Sequence, residues 1–586
     1  MSYRSVPGVL AVISREAGEP PDEVRRAVAC AGLEPLRVLG DAWLTSWGHD
    51  PELPTMDRPL LLSGPARLEG ALVDDAHVAR LLREGNLVEL GRFLPPFAAL
   101  GLAEGGVRIA TDRMGFRQVF RCRGPGWDAV STSARLLSRL LQQGWDDEAV
   151  LLQSQLGWQL AGRTLYSGVT KLEPGETLLL AGSEVSLDGR TDEPVHPGST
   201  SLDDAVGCAS ELLRRSMVHY FEDADPLLQI TGGMDSRLVL SSVPPDRRPG
   251  LRAMTLDVPG SADTAVASEI ADHSRLAHRV VSLDGLESVS APAWFERVCE
   301  TAASHDAMLN PIAKAATDWA EESLDQGDRL GGLGGEIARG FYYTGLVRPL
   351  PVTRRHSERL ARWRMLANEA VEPDALHSRH RRRATTVALD AIHAALVDGG
   401  DEWFSATDDL YYRHRMARWA GLAESVASTR RSLVNPMLEP EFIRVARNLA
   451  PQDKRNAQFL GRLQLSLDPA LGRLRLEGRP PPEAFAFPGL RGRARQAAAQ
   501  SRLAARKARQ RATGARRPPA GGVIVAAGVV DHLRARTVLV DPLRDSGWFD
   551  ERWFASVLDG SVQPHPNTVA FMINMLVALD AKEPTR

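Results

Sequence analysis

The feature that most constrains this chain is the hexapeptide Thr231-Gly232-Gly233-Met234-Asp235-Ser236, set between an apolar run, Leu227 to Ile230, and a helix expected from Arg237. Two adjacent glycines let a backbone approach a ligand closely and accept positive φ. A turn that runs from a strand into a helix N-terminus aims its N–H groups at an anion. Thr231 and Ser236 add hydroxyl donors. An aspartate has no place in a bare phosphate cradle unless it holds a cation, so Asp235 implies Mg²⁺ on pyrophosphate oxygens. The GxxxxGK[ST] pattern of the other common phosphate loop is absent.

The surrounding pattern places this turn in an α/β sheet. Ser201 to Asp204 reads as a helix N-terminus, followed by apolar residues at Leu202, Ala205, Val206, Ala209, Leu212 and Leu213. Strands are expected at 251–257 and near 279–283, with a helix over 263–277 between them. That order implies parallel pairing. Residues 290–325 and 355–470 read mainly as helices. Upstream, residues 1–190 read as mixed and strand-rich, with short apolar segments (Leu60 to Leu62, Val107 to Ala110, Thr177 to Leu180) bounded by Gly, Pro and Asp. The polar stretch 188–201 reads as the linker between two domains, 1–190 and 202–586.

A second glycine-rich element follows about a hundred residues after the first. In Leu330-Gly331-Gly332-Leu333-Gly334-Gly335-Glu336, four glycines in five positions precede an acid. The alternatives are a flexible loop with an exposed glutamate and a backbone held close to a ligand. On the second reading Glu336 is another metal ligand and Gly331 and Gly332 line the nucleotide.

Composition excludes little but excludes it cleanly. The 586 residues carry a net charge of −3, with 43% hydrophobic and 25% charged residues, so no global charge favours nucleic acid or a membrane surface. No run approaches the length of a spanning helix. Cys30, Cys122, Cys208 and Cys299 form no CxxC pair, which suggests neither a zinc site nor a disulfide framework and fits a cytoplasmic location. Residues 491–517 hold ten Arg or Lys and no acid. They read either as a solvated basic helix or as a docking surface for an acidic partner. Without interleaved aromatics they do not read as an RNA site.

Taken in order, these pieces resemble asparagine synthetase and its relatives over nearly the whole chain. Gly91-Arg92-Phe93, Ala110-Thr111-Asp112-Arg113-Met114-Gly115 and Val130-Ser131-Thr132-Ser133 sit where that family has G-x-F, A-R-D-x-x-G and F-A-S-E. Val169 to Glu176 resembles the entry into the synthetase domain. The Thr231 turn resembles the SGGxDS loop of N-type ATP pyrophosphatases. Leu256 to Asp263 resembles the strand bordering adenine, which makes Leu256 a nucleotide-binding candidate. Gly331 to Tyr342 resembles SGxGADExFGGY, with Glu336 in the Asp position, and Asn435-Pro436-Met437-Leu438 resembles P-F-L-D.

The resemblance implies a fold of mixed α/β and α+β class. It would pair an N-terminal glutaminase-like (Ntn-type) β-sandwich with a C-terminal domain of the adenine nucleotide α-hydrolase-like type. It implies ATP and Mg²⁺ as cofactors and an acyl-adenylate intermediate. The departures matter as much. The family's glutaminase uses an N-terminal cysteine, whereas Ser2 follows Met1 here and no cysteine precedes Cys30. Glutamine is therefore not expected as nitrogen donor. The tyrosine that acts as base in β-lactam synthetases falls at Leu333. The family's C-terminal lysine has no clear counterpart, with Arg475 or Arg479 as substitutes.

Among relatives the lasso-peptide macrolactam synthetases fit this combination best. By that resemblance the enzyme adenylates an Asp or Glu side chain of a leaderless precursor peptide, whose N-terminal amine then closes an isopeptide ring. A leader peptidase and a leader-binding protein are the further partners implied. The alternatives are another amide-forming ligase of the family and a non-catalytic scaffold. The group that takes the proton from the amine is not identified by the sequence.

Overall fold

The strand Gly8–Ser14 shows how the first half is built. Its residues are buried on both faces: Val9, Ala11 and Ile13 join one apolar cluster, Leu10 and Val12 another. Alternate side chains of a strand point to opposite faces, so a continuous apolar run is what a strand between two packed layers requires. In the computed structural model, which describes residues 6–15, 19–48, 52–191, 194–325, 327–343, 345–487 and 518–580, this strand lies inside a six-stranded antiparallel sheet. The order is Val169–Lys171, Phe120–Gly124, Trp127–Ser131, Gly8–Ser14, Ala42–Trp47, Arg37–Leu39. A five-stranded antiparallel sheet (Glu184–Arg190, Glu176–Ala181, Gly106–Thr111, Ala98–Ala103, Leu60–Leu61) supplies the other side of the Val9 cluster through Ile109, Leu100 and Leu178.

The motif around Asp112 organises a turn in this half. Its buried carboxylate accepts the N–H groups of Phe97, Met114, Phe116 and Arg117 at 3.0–3.1 Å. The expected linker is shorter than 188–201. The strand Glu184–Arg190 takes its first three residues, because Thr177 still pairs with Gly189. The long helix Leu202–Asp223 begins where expected, with the Ser201 hydroxyl accepting from the N–H of Asp204.

The second half holds an all-parallel five-stranded sheet in the order Ala277–Val281, Arg252–Leu256, Leu227–Gln229, Arg329–Leu330, Leu433–Val434. The helices Asp235–Ser242 and Asp263–Ser274 follow its strands. The second helix stops at 274 rather than 277. Arg275 takes φ 56°, and the next strand begins at Ala277, two residues earlier than the sequence pattern suggests. Read by chain order, the strands run 3-2-1-4-5. The reversal of winding direction falls between Leu227–Gln229 and Arg329–Leu330. In open parallel sheets the crevice at the carboxyl ends of the strands, at this switch point, is where ligands bind.

The halves are joined by core rather than by linker. One apolar cluster runs from Leu10 and Val12 through Leu136 to Trp294, Val525 and Ile573. Buried polar contacts cross as well: Arg117 Nη1 donates to Ser425 Oγ at 2.9 Å, and Arg418 Nη1 donates to the Ala161 carbonyl at 2.8 Å. Among the described residues no helix is long and apolar enough to cross a membrane. The basic segment 491–517 lies outside the described residues.

Replacing Asp112 by alanine strands four buried N–H groups at about 1–3 kcal/mol for each one left unpaired. Asp112→Ala is therefore expected to lose at least about 3 kcal/mol of stability, read as a lowered denaturant midpoint. An unchanged midpoint contradicts this account of the turn.

Candidate functional site

Both glycine-rich elements leave the sheet at the switch point. Strand Leu227–Gln229 delivers the Thr231 turn, and its neighbour Arg329–Leu330 delivers the Gly331 loop. The two then touch. A side-chain carbon at Gly332 would lie 2.7 Å from the Ser236 nitrogen, and one at Gly335 would collide with Asp235 Oδ1. Gly334 takes φ 112°, a conformation L side chains rarely adopt. The glycines before Glu336 thus serve close packing: they bring the acid's backbone onto the turn that carries Asp235.

The turn is braced internally. The Thr231 N–H donates to Ser236 Oγ at 3.0 Å, and the two hydroxyls lie 3.0 Å apart. The Gly233 N–H donates to Thr231 Oγ1 at 3.1 Å, and the Gly232 N–H donates to Asp263 Oδ1 at 2.7 Å. The Glu477 N–H closes on the Gly232 carbonyl at 3.0 Å, while the Ser261 hydroxyl donates to Glu477 Oε1 at 2.7 Å. The hydroxyls of Thr231 and Ser236 thus shape the turn. The Met234 side chain is buried in the core beneath it. The helix begins at Asp235 rather than Arg237, and its first intrahelical bond runs from the Leu238 N–H to the Met234 carbonyl. The N–H groups at its start have no acceptor within the helix.

Asp235 and Glu336 flank one guanidinium. Arg339 Nη2 lies 3.3 Å from Asp235 Oδ2 and 3.0 Å from Glu336 Oε1. The other oxygen of each acid, Asp235 Oδ1 and Glu336 Oε2, is buried and has no hydrogen-bond partner. Burial, followed by the neighbouring Asp235 charge, pushes the Glu336 carboxyl up to about 7. Buried carboxylate oxygens left unpaired are costly, and two side by side form the donor set of a hard cation. No group of three or more His, Cys, Asp or Glu among the described residues could hold a metal ion. A Mg²⁺ held by one or two carboxylates draws its remaining ligands from phosphate oxygens and water, so this pair fits Mg²⁺ bound together with a polyphosphate.

The other candidates divide. Arg479 is an exposed residue that lies in the field of Arg339 and Asp235. The Arg475 side chain is 65% exposed and pairs with Glu269 at 3.2 Å, outside the site. Its carbonyl instead accepts from Arg237 Nη2 at 2.7 Å. Arg237 is fully buried and also donates to the Leu471 carbonyl at 3.0 Å, so it fixes the segment that carries Arg479. Leu256 ends its strand half-buried against the core. Gly331 packs against Asn435, whose Oδ1 accepts the Leu333 N–H at 3.2 Å. That joins the N-P-M-L motif to the same loop.

Asp263 and Arg339 lie within the quoted motif segments but carry no role there, and Glu477 lies outside them. Nothing distinguishes them from other charged residues until the fold places them. Two cavities open elsewhere. A groove of 1070 Å³ is lined by Trp145, His380 and Trp548, and a pocket of 370 Å³ is lined by Arg92, Arg113 and Glu439. No family model matches the chain, and no curated protein matches it.

The Glu336 carboxyl has an ordinary value of 4.5 and is raised to about 7 in the fold. The protonated form is thus favoured by folding. Its contribution is complete below about pH 4.5 and lost as the pH rises through about 7. Glu336→Gln is expected to stabilise the metal-free protein at pH 8 by on the order of 2 kcal/mol and to be nearly neutral at pH 4. Glu439, also raised to about 7 by burial, retains part of the pH slope. Denaturant unfolding across that range checks this; a Gln variant less stable at pH 8 contradicts it.

Proposed function

We propose that this chain is an AMP-forming, ATP-dependent amide ligase that activates a carboxylate as an acyl-adenylate. We further propose that its substrate is a peptide closed into a macrolactam. The observation that carries the reading is the meeting of Asp235 and Glu336 at the switch point, each with a buried oxygen lacking a partner. Asp128 also leaves one oxygen buried without a partner, so the weight falls on the convergence: a plain glycine turn does not require two acids to meet at the switch point.

On this reading the polyphosphate lies at the start of the helix Asp235–Ser242, where the N–H groups favour negative charge. Asp235 and Glu336 would hold Mg²⁺, which would supply charge neutralisation for the departing pyrophosphate. Arg339 keeps the other two carboxylate oxygens in place and limits repulsion between the acids. Arg479 adds a positive charge beside them. The substrate carboxylate attacks the α-phosphorus. The bond to the β-phosphate oxygen breaks, and pyrophosphate leaves. An amine then attacks the acyl carbon and expels AMP, with loss of one proton from nitrogen. When acid and amine belong to one peptide, holding them together converts an entropically unfavourable ring closure into a local reaction.

The N-terminal half corresponds on this reading to a glutaminase-like sandwich without its cysteine, so the amine comes from the substrate. The peptide, a leader peptidase and a leader-binding protein are inferences from the resemblance. The carboxylate activation rests on the site.

The test is exchange of labelled pyrophosphate into ATP, dependent on a linear acidic peptide. Wild type is expected to exchange and, with a competent peptide, to give a product lighter by one water. Asp235→Ala is expected to lower exchange at least about a hundredfold, as for a lost metal-held charge. Exchange at the wild-type rate in that variant sinks the proposal. Ammonia released from glutamine would remove the macrolactam reading and favour an amidotransferase.

A further inference from the structure

The segment Leu410–Ala420 is a π-helix of eleven residues. Such turns are uncommon and often mark functional positions. Tyr411, Arg415 and Trp419 recur at four-residue intervals along it. The Tyr411 ring stacks on Phe341 with centroids 4.6 Å apart and planes at 29°. Phe341 lies five residues beyond Glu336, and the charges of Glu336 and Arg339 both act on Tyr411. Through Tyr411 and Phe341 the π-helix lies in the field of Glu336 and Arg339.

Two guanidiniums share the Phe341 ring. Arg364 lies 5.3 Å and Arg415 5.7 Å from the centroid of the same Phe341 ring. Arg415 also lies 4.5 Å from the Trp419 ring and 5.8 Å from that of Trp158, and Arg364 Nη2 donates to the Phe341 carbonyl at 2.9 Å. Both side chains belong to half-buried residues. Neither forms an ion pair within 4 Å among the described residues, unlike most partly buried arginines of this chain; the Tyr342 hydroxyl faces Arg415, and the Arg415 charge also acts on the buried Glu369 carboxyl, whose pKa burial nonetheless raises. Two like charges held on one ring, partly out of water, repel each other. Cation–π contact returns only about 0.5–2 kcal/mol for each. Consistent with this, burial and the Arg415 charge lower the Arg364 pKa. Rings that fix the planes of guanidiniums also pre-organise their donors for a bidentate oxyanion.

We propose that Arg364 and Arg415 form a carboxylate-binding site for the acyl substrate. They would hold a carboxylate that is not itself activated while another reaches the nucleotide at Asp235 and Glu336. The inference rests on the ligase reading of the neighbouring site and adds a substrate class: an acid bearing a second carboxylate. Ion pairs join Asp235 and Glu336 through Arg339; the Glu336 charge acts on Tyr411, Tyr411 stacks on Phe341, and the Phe341 ring carries the two arginines. That order assigns the arginines to the substrate rather than to the phosphates.

The test uses the full chain and two calorimetric titrations, one with glutarate and one with MgATP, on wild type, Arg415→Gln, Arg364→Gln and Asp235→Ala. Glutaramide serves as the uncharged control for glutarate, and thermal unfolding checks that each variant is folded. Glutarate, but not glutaramide, is expected to bind wild type. Its affinity is expected to fall at least tenfold in either arginine variant and to hold within twofold in Asp235→Ala. MgATP affinity is expected to show the opposite pattern. Arg415→Lys, which keeps the charge but loses the fork, should fall between wild type and Arg415→Gln. Glutarate binding that is absent from wild type or indifferent to Arg415→Gln overturns the inference and leaves the ligase reading standing. Loss of MgATP binding in Arg415→Gln overturns it in favour of a phosphate contact. MgATP binding undiminished in Asp235→Ala strikes the ligase reading instead.

Discussion

Two carboxylates drawn onto one guanidinium form the contact around which the second half of this molecule is arranged. Asp235 and Glu336 are 101 residues apart in sequence, yet Arg339 bonds or pairs with both. The arrangement is electrostatically incomplete, because one oxygen of each acid stays buried and unpaired. Folded proteins rarely leave such atoms. Their presence at the carboxyl ends of the two strands that flank the switch point is what gives them functional meaning. Structure built for stability alone would favour an apolar pair at these positions.

Much of the surrounding structure holds that contact in register. Gly332 and Gly335 allow the second loop to lie on the first turn. Asp263 and the Glu477 N–H hold the Gly232 peptide from opposite sides. Arg237, buried under the helix that follows the turn, fixes the backbone of 471–475 by three donated bonds, and so sets the segment carrying Arg479. The first half contributes in another way. Its sheet shares an apolar core with the C-terminal helices, so its removal would expose that core whether or not it carries chemistry.

The site was legible in proportion to how local its signals are. The Thr231 turn and the Gly331 loop stood out because glycine doublets between a strand and a helix are a backbone requirement written in sequence. The helix at 202 stood out because Ser201 is a capping residue before a periodic apolar stripe. The roles of the turn's hydroxyls were not legible. Thr231 and Ser236 carry the groups that could meet a ligand, but the fold turns them on each other. Arg475 and Arg479 are equivalent in sequence. Only the anchoring of the 471–475 backbone by Arg237 sends one outward to Glu269 and the other toward Asp235.

By itself, then, the sequence determined the strand, turn and helix around Thr231, the helix start at Ser201, and the glycine spacing ahead of Glu336. These follow from backbone conformation and short-range periodicity, which neighbouring residues dictate. Tertiary structure alone decided that Asp235 meets Glu336, that Arg339 stands between them, and that Arg364 and Arg415 share the Phe341 ring. Those pairings depend on strand order in a parallel sheet, where residues far apart in the chain become neighbours and no local pattern announces which ones.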